Sequence, residues 1–215
     1  MGRVLGIIVA TLLLLPYSRS HIKPWLLETS IIIGEWDFPC TINESGTYIL
    51  VANASGAGWG TCIIIEADNI VFDGGGHRVS GWDYGILVKS SRNVTIRNVV
   101  IENSYYGIHV SDSSGVRVED VFVRNNCHHS IFFDNVSNSI VRECVIENNL
   151  GDGVELHLSN HNKIEYNTIT GNAGSGVLLE SSDSNLIRNN VLKDNSHGIV
   201  LEVSSNNTIE YNSRV

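Results

Sequence analysis

Residues 153 to 177 read GVELHLSNHNKIEYNTITGNAGSGV, and they contain one unit of a pattern that recurs through most of the chain. The unit opens with a small residue and an apolar residue, Gly153-Val154, and this pair returns 23 residues later as Gly176-Val177. The same pair occurs, at steps of 22 or 23 residues, as Gly85-Ile86, Gly107-Ile108, Ser130-Ile131 and Gly198-Ile199. A fixed repeat of this length is typical of solenoids, in which each unit packs against its neighbours.

Three apolar segments in each unit predict three short strands per coil. Leu156 follows Val154 by two residues, which is the alternation of a strand with one buried face. Ile164 and Ile169 mark a second and a third strand, and the polar cluster Asn160-His161-Asn162 suits the bend after the first strand. The repeat therefore predicts an all-β fold: a single right-handed parallel β-helix, a three-sheet solenoid of 22–23-residue coils.

Two polar columns indicate the same register. Asparagine recurs at steps of 23 residues, which predicts an asparagine ladder at one bend, through Asn126, Asn149, Asn172 and Asn195. A second column alternates in charge from coil to coil, through Arg97, Glu119, Arg142, Glu165, Arg188 and Glu210. Opposite charges on neighbouring coils, ~4.8 Å apart, would pair.

The N-terminal segment predicts export. In residues 1–20, Arg3 precedes an apolar run from Val4 to Leu15 and the small segment Ser18-Arg19-Ser20, the order of a signal peptide. The run is too short to cross a ~30 Å hydrocarbon core, so an uncleaved signal anchor is the membrane-bound alternative. We therefore expect the protein to be secreted or held at the cell surface.

The rest of the chain is predicted to comprise an N-terminal cap, residues 21–60, and parallel β-helix repeats, residues 61–215. Cys40 precedes Cys62 by 22 residues, one coil, so the two would form a disulfide if the cap keeps the register. The chain stops in the middle of a coil at Asn212-Ser213-Arg214-Val215. This end predicts either end-to-end self-association or a truncated relative of longer proteins.

The net charge limits the partners. The 215 residues carry a formal net charge of −9, which becomes −11 when Met1 to Ser20 are removed with Arg3 and Arg19. A strongly acidic chain repels phosphate backbones, so nucleic acid is excluded as an expected partner.

The opening segments of the repeat region resemble those of a known family. They are Cys40-Thr41-Ile42, Gly46-Thr47-Tyr48-Ile49-Leu50, Thr61-Cys62-Ile63 and Asn69-Ile70-Val71-Phe72-Asp73-Gly74-Gly75-Gly76-His77. They resemble the NosD-like and CASH-type β-helix proteins common in archaea, and the Gly-Ile coils continue the likeness. The resemblance implies a surface or periplasm-like location, a link to polysaccharides or cell-surface glycans, and, for the namesake branch, copper-site maturation. The Asp-Pro-His-Asp signature of the family's mannuronan epimerases is absent from the sequence.

The outward face of the first strands carries an acidic patch. The predicted register aligns Asp134, Glu155 and Glu180 as candidate catalytic carboxylates, with His109, Phe132, His157 and Glu202 as candidate substrate-binding residues. Like charges on successive coils would raise a carboxyl pKa and suit glycoside hydrolysis, and the same cluster could chelate calcium. Phe132 would offer an apolar platform to a sugar. The alternative is a solvated polar face.

Cys127-His128-His129 is the local cluster most typical of a metal site. Thiolate and imidazole ligands suit copper(I), although adjacent residues rarely face one ion.

Three hypotheses follow: an exported, non-catalytic module for glycan binding or cell-envelope structure; a polysaccharide-cleaving enzyme; or a NosD-type copper delivery factor. As an enzyme it would be a hydrolase rather than a lyase, because the nearest base, Lys89, lies two coils from Asp134. The sequence alone establishes no cofactor.

Overall fold

The computed structural model describes residues 30–35 and 37–214, and these residues form a parallel β-helix without α-helices. The chain winds through three columns of strands, and every pair of neighbouring strands is parallel. The predicted all-β, right-handed three-strand coil is confirmed. Within the described residues, no helix is long and apolar enough to cross a membrane.

The first column forms one sheet of eight strands. Its members are β2 (Cys40–Ile42), β5 (Thr61–Ile65), β8 (Tyr84–Lys89), β10 (Tyr106–Ser111), β12 (Ile131–Asp134), β15 (Val154–His157), β18 (Ser175–Glu180) and β21 (His197–Glu202).

The second and third columns join into one bent sheet, because two strands are long enough to run through both. The second column contains β1 (Ile31–Ile33), β3 (Gly46–Leu50), β6 (Ile70–Asp73), β9 (Val94–Glu102), β11 (Arg117–Arg124), β13 (Ile140–Arg142), β16 (Lys163–Glu165), β19 (Leu186–Arg188) and β22 (Thr208–Glu210). The third contains β4 (Ala54–Ser55), β7 (Arg78–Ser80), the ends of β9 and β11, β14 (Val145–Glu147), β17 (Thr168–Thr170), β20 (Val191–Lys193) and β23 (Ser213–Arg214).

Apolar side chains fill the interior in stacked layers. Ile108, Ile131 and Val154 are partners in successive first-column strands, and all three are fully buried. Bends between strands use residues that tolerate a left-handed backbone, as at Asn93 with φ 56° and Asn138 with φ 51°. The repeat predicts the inward apolar residues and the bend residues, and one register accounts for the positions of both.

The polar columns are also confirmed. Asn126 donates its backbone N–H to Asn149 Oδ1 at 2.9 Å, and further ladders of this kind run through Asn167 and Asn190. In the charged column, Arg142 Nη2 lies 2.9 Å from Glu119 Oε2.

Parallel pairing extends toward the N-terminus beyond residue 61. β2, β3 and β4 pair in parallel with β5, β6 and β7, and β1 pairs with β3 at Ile31. The remainder of the predicted cap, residues 21–29, and the predicted signal peptide lie outside the described residues. At the opposite end, inward positions of the last coil are partly open, with Leu201 40% and Ile209 45% exposed.

The structure corrects the predicted disulfide. Cys40 is the strand partner of Ile63 and not of Cys62, because this coil is 23 residues long. Cys62 instead occupies the small-residue position, one residue before the inward Ile63. Both thiols are free and buried, and burial raises the pKa of Cys40 to about 12.

Candidate functional site

The outward face of the first sheet presents three neighbouring columns of side chains. Strand pairing aligns one column as Leu87, His109, Phe132, Glu155, Leu178 and Val200. It aligns a second as Lys89, Ser111, Asp134, His157, Glu180 and Glu202. Two residues before each inward apolar position lies a third column: Tyr84, Tyr106, His129, Asp152, Ser175 and His197. The first two columns have the members that the sequence predicts.

Aromatic rings from two of these columns form two adjoining stacked pairs, Tyr84 with Tyr106 and His109 with Phe132, which together we call the aromatic row. The ring centroids of Tyr84 and Tyr106 lie 5.0 Å apart with planes 6° from parallel, and those of His109 and Phe132 lie 4.8 Å apart. Neighbouring strands are also ~4.8 Å apart, so the rings stack along the solenoid axis and direct their edges outward. One face of Phe132 is therefore covered by His109.

His109 lies within the aromatic row, where both of its ring nitrogens are buried. Burial between the rings lowers its pKa, an effect that outweighs the attraction of the nearby acids Asp134 and Glu155. Neither ring nitrogen is solvent-accessible, and neither has a hydrogen-bond partner among the residues that the structure describes.

His129 follows Tyr106 in the third column, one coil further along the solenoid, and lies between two carboxylates. Its Nδ1 is 3.1 Å from Asp152 Oδ2, and its Nε2 is 2.9 Å from Glu155 Oε2. Burial alone would lower the pKa of His129, but contact with both carboxylates outweighs burial and raises this pKa to about 9. Asp152 also accepts a hydrogen bond from the backbone N–H of Ser175. The pKa of Asp152 is lowered because its contacts with His129 and Ser175 outweigh its burial.

The predicted carboxylates are separated by other side chains rather than stacked on one another. Asp134 has His157 as its neighbour on the next coil, with 2.9 Å between Oδ1 and Nδ1. Glu155 has Phe132 and Leu178 as its neighbours in the column. Of the predicted patch, two acids are direct strand partners, Glu180 and Glu202.

The Cys127-His128-His129 cluster does not converge on one point. The group of potential ligand atoms found among the described residues joins His129 to Asp152 and Glu155, all within 4.8 Å of one another, and it includes neither Cys127 nor His128. Cys127 is exposed at the bend, while His128 packs edge-on against His129 with ring centroids 4.0 Å apart.

Sequence reasoning missed three members of this surface: Tyr84, Tyr106 and Asp152. A signal for them existed, because all three stand two residues before the inward apolar position of their coil. This position, two residues before the inward apolar residue, lies where the bend joins the strand. The structure shows that its side chains lie beside the outward column, which strand alternation does not predict.

The chain thus belongs to the class of right-handed parallel β-solenoids with an aromatic and acidic outward face. More specifically, it is a member of the family described as "Right handed beta helix region", whose pattern matches residues 84–214. No curated protein matches the chain by sequence.

Several solved structures share the fold at low sequence identity. A periplasmic alginate epimerase superposes with a TM-score of 0.62 and 13% identity over 84% of this chain and 58% of that one. The catalytic domain of an alpha-1,3-glucanase in complex with tetrasaccharides gives a TM-score of 0.62 and 15% identity over 77% of this chain and 35% of that one. The pectate lyase Pel9A gives a TM-score of 0.55 and 13% identity over 86% of this chain and 68% of that one. The chain spans less than two thirds of the length of the epimerase and of the glucanase domain.

Proposed function

We propose that this protein is an exported, non-catalytic module that binds an extended, uncharged polysaccharide along the outward face of its first sheet. The observation that carries the proposal is the aromatic row, which runs along the solenoid axis beside a column of partly exposed polar side chains.

The aromatic row is suited to binding because its side chains are already ordered. Tyr84 stacks on both Tyr106 and His109, with ring centroids 5.0 and 5.6 Å apart, and these contacts hold the three rings in place. Ordered side chains lose little conformational entropy when a ligand binds, and phenol edges supply both apolar contact and a hydroxyl group. Tyr105, which is 46% exposed, extends this surface at the bend.

The adjacent polar column supplies hydrogen-bonding groups at a regular interval. Asp134 is oriented by its contact with His157, and its side chain remains 40% exposed. A carboxylate of this kind can accept two or more hydroxyl hydrogen bonds. Because polar groups recur about every 4.8 Å along the axis, the surface fits a partner with its own linear repeat.

Charge favours an uncharged polymer over a polyuronate. The patch contains Asp134, Asp152 and Glu155 near Glu180 and Glu202, and the whole chain has a net charge of −9. An anionic polymer would meet repulsion along its length, which weakens encounter and binding. The solved structures that share the fold include an alginate epimerase, a glucanase and a pectate lyase, which supports a polysaccharide partner in general. The fold itself does not fix the function, so the side chains carry the proposal.

A binding experiment tests the proposal. Purified protein is titrated with soluble neutral glucans, mannans and xylans, and with alginate and pectate as anionic comparisons. We expect saturable binding to at least one neutral polymer, with at least tenfold weaker binding in Tyr106→Ala. Tyr166→Asn is the matched control, because it removes an exposed tyrosine from a different bend while keeping a residue that tolerates φ 59°. Binding to anionic polymers alone, or equal loss in the control, would contradict the proposal.

Glycoside cleavage is the second candidate, favoured by one observation. Glu180 and Glu202 are strand partners on the exposed face, and strand spacing of ~4.8 Å is close to the ~5 to 5.5 Å that separates the two carboxyls of retaining glycosidases. Assays for new reducing ends on the same polymers, with Glu180→Gln as the inactive variant, distinguish cleavage from binding. Copper delivery of the NosD kind stays a prediction from the family resemblance.

A further inference from the structure

The group formed by His129, Asp152 and Glu155, which we call the His-Asp-Glu cluster, has the composition of a metal site. His129 and Asp152 stand at equivalent positions of successive coils, and Glu155 is in β15. One potential ligand atom from each residue lies within 4.8 Å of the other two. The three side chains are 17%, 12% and 9% exposed, so the group is largely desolvated but can be reached from solvent.

We propose that the His-Asp-Glu cluster binds one divalent transition-metal ion of the zinc class. The cluster shares Asp152 and Glu155 with the acidic patch and adjoins the aromatic row, with the ring centroids of His129 and Phe132 5.7 Å apart. The metal proposal does not rest on glycan binding.

A buried carboxylate oxygen with a poorly aligned partner points into the cluster. Glu155 Oε2 is fully buried and has no aligned hydrogen-bond donor among the described residues, even though His129 Nε2 lies 2.9 Å away as an ion-pair contact. A buried carboxylate oxygen without a donor costs free energy, and native structures rarely leave one unmatched. A metal ion that replaces the proton of His129 would contact Glu155 Oε2 directly.

The donor set selects the kind of ion. Two carboxylates and one imidazole provide two negative charges and a nitrogen ligand, which matches a divalent ion bound by nitrogen and oxygen. Calcium prefers an all-oxygen shell of six to eight ligands, so it fits this set poorly. Copper(I) favours thiolate, and the one exposed cysteine nearby, Cys127, is outside the cluster.

Binding one ion requires the two carboxylates to turn towards the same ring nitrogen. Zinc bonds of ~2.0 to 2.2 Å place neighbouring ligand atoms about 3.3 Å apart around a tetrahedral ion. In the structure, Asp152 lies 3.1 Å from Nδ1 of His129 and Glu155 lies 2.9 Å from Nε2, so the two carboxylates contact different nitrogens of one ring. A zinc ion bound at Nε2 beside Glu155 therefore requires the Asp152 carboxylate to rotate towards it across the 4.8 Å within which one ligand atom of each residue lies. Three protein ligands leave a fourth position for water or another oxygen ligand, as in open zinc sites.

Calorimetric titration of the chelator-treated, dialysed full chain with zinc chloride at pH 8 tests the site. We expect one zinc ion per chain with a micromolar or tighter Kd, and at least tenfold weaker binding in His129→Gln and in Glu155→Gln. Cys127→Ser and Glu180→Gln are the matched controls, because they remove a nearby thiol and a carboxylate on the same face without touching the cluster. Both controls should bind as the wild type does.

X-ray absorption of the zinc-loaded wild type provides a readout that does not depend on the folding of any variant. We expect nitrogen and oxygen ligands without sulfur. No zinc uptake by the wild type, a sulfur ligand, unchanged binding in His129→Gln, or calcium binding as tight as zinc binding would each overturn the proposal.

Discussion

Asn126 donates two hydrogen bonds to a single atom of Asn149, one coil further along the solenoid. Its backbone N–H reaches Asn149 Oδ1 at 2.9 Å, and its side-chain N–H reaches the same oxygen at 3.0 Å. Asn149 repeats the arrangement with Asn172 at 3.1 and 2.9 Å. The amide therefore satisfies a backbone donor that the bend would otherwise leave buried and unpaired.

Asn149→Ala should destabilise the protein by about 2 to 4 kcal/mol, because it leaves the buried N–H groups of Asn126 without an acceptor. Urea unfolding followed by circular dichroism measures this loss. Asn148→Gly is the control: Asn148 is exposed and has φ 56°, which glycine adopts readily, so a change within about 1 kcal/mol is expected. Equal losses in both variants would contradict the ladder as a source of stability.

Gly107→Ala should cost about 1 to 3 kcal/mol, because the added Cβ would lie 2.4 Å from Ser130 O and 2.7 Å from Val123 Cγ1. Gly198→Ala, at the equivalent position of the last coil, meets no atom within 4 Å and should be nearly neutral. Thermal melting of the two variants checks the difference. A similar fall in melting temperature for both would show that backbone conformation, and not packing, limits this position.

The stability of the metal-free protein should fall as pH rises from 6.5 to above 9. The pKa of His129 is raised from 6.5 to about 9 in the folded state, so the folded protein holds a proton that the unfolded chain releases. The stabilisation is complete below pH 6.5 and is lost as pH rises through about 9, with a magnitude on the order of 3 kcal/mol. Urea unfolding with chelator present, at several pH values, measures the slope.

His129→Gln should remove most of this pH dependence, whereas His161→Gln, at an exposed bend, should leave it unchanged. A wild-type stability that is flat between pH 6.5 and 9.5 would refute the charged state assigned to His129.

One of the four cysteines should react quickly with a thiol reagent in the native protein, and all four after unfolding. Cys127 is exposed, while burial raises the pKa of Cys40 and of Cys144 to about 12 and keeps both unreactive. Counting released chromophore before and after adding denaturant tests this directly. Finding two reactive thiols after unfolding, instead of four, would restore the predicted Cys40–Cys62 disulfide.

The coil could be predicted from the repeat alone, because every coil must place apolar residues inward and bend-forming residues at the corners. Val154 and Leu156 mark one strand, Asn149 marks one bend, and their recurrence fixes which residues are neighbours on successive coils. The column that contains Asp134 and His157 could therefore be predicted from spacing alone.

Tertiary structure alone decided contacts that depend on coil length and side-chain direction. One extra residue in an early coil places Cys40 opposite Ile63 and moves Cys62 to the small-residue position of its strand. Asp152 precedes its strand, so no alternation pattern assigns it to the outward face, yet the bend brings it within reach of His129. The repeat sets the axial neighbours, whereas the bend conformation sets which side chains meet across columns.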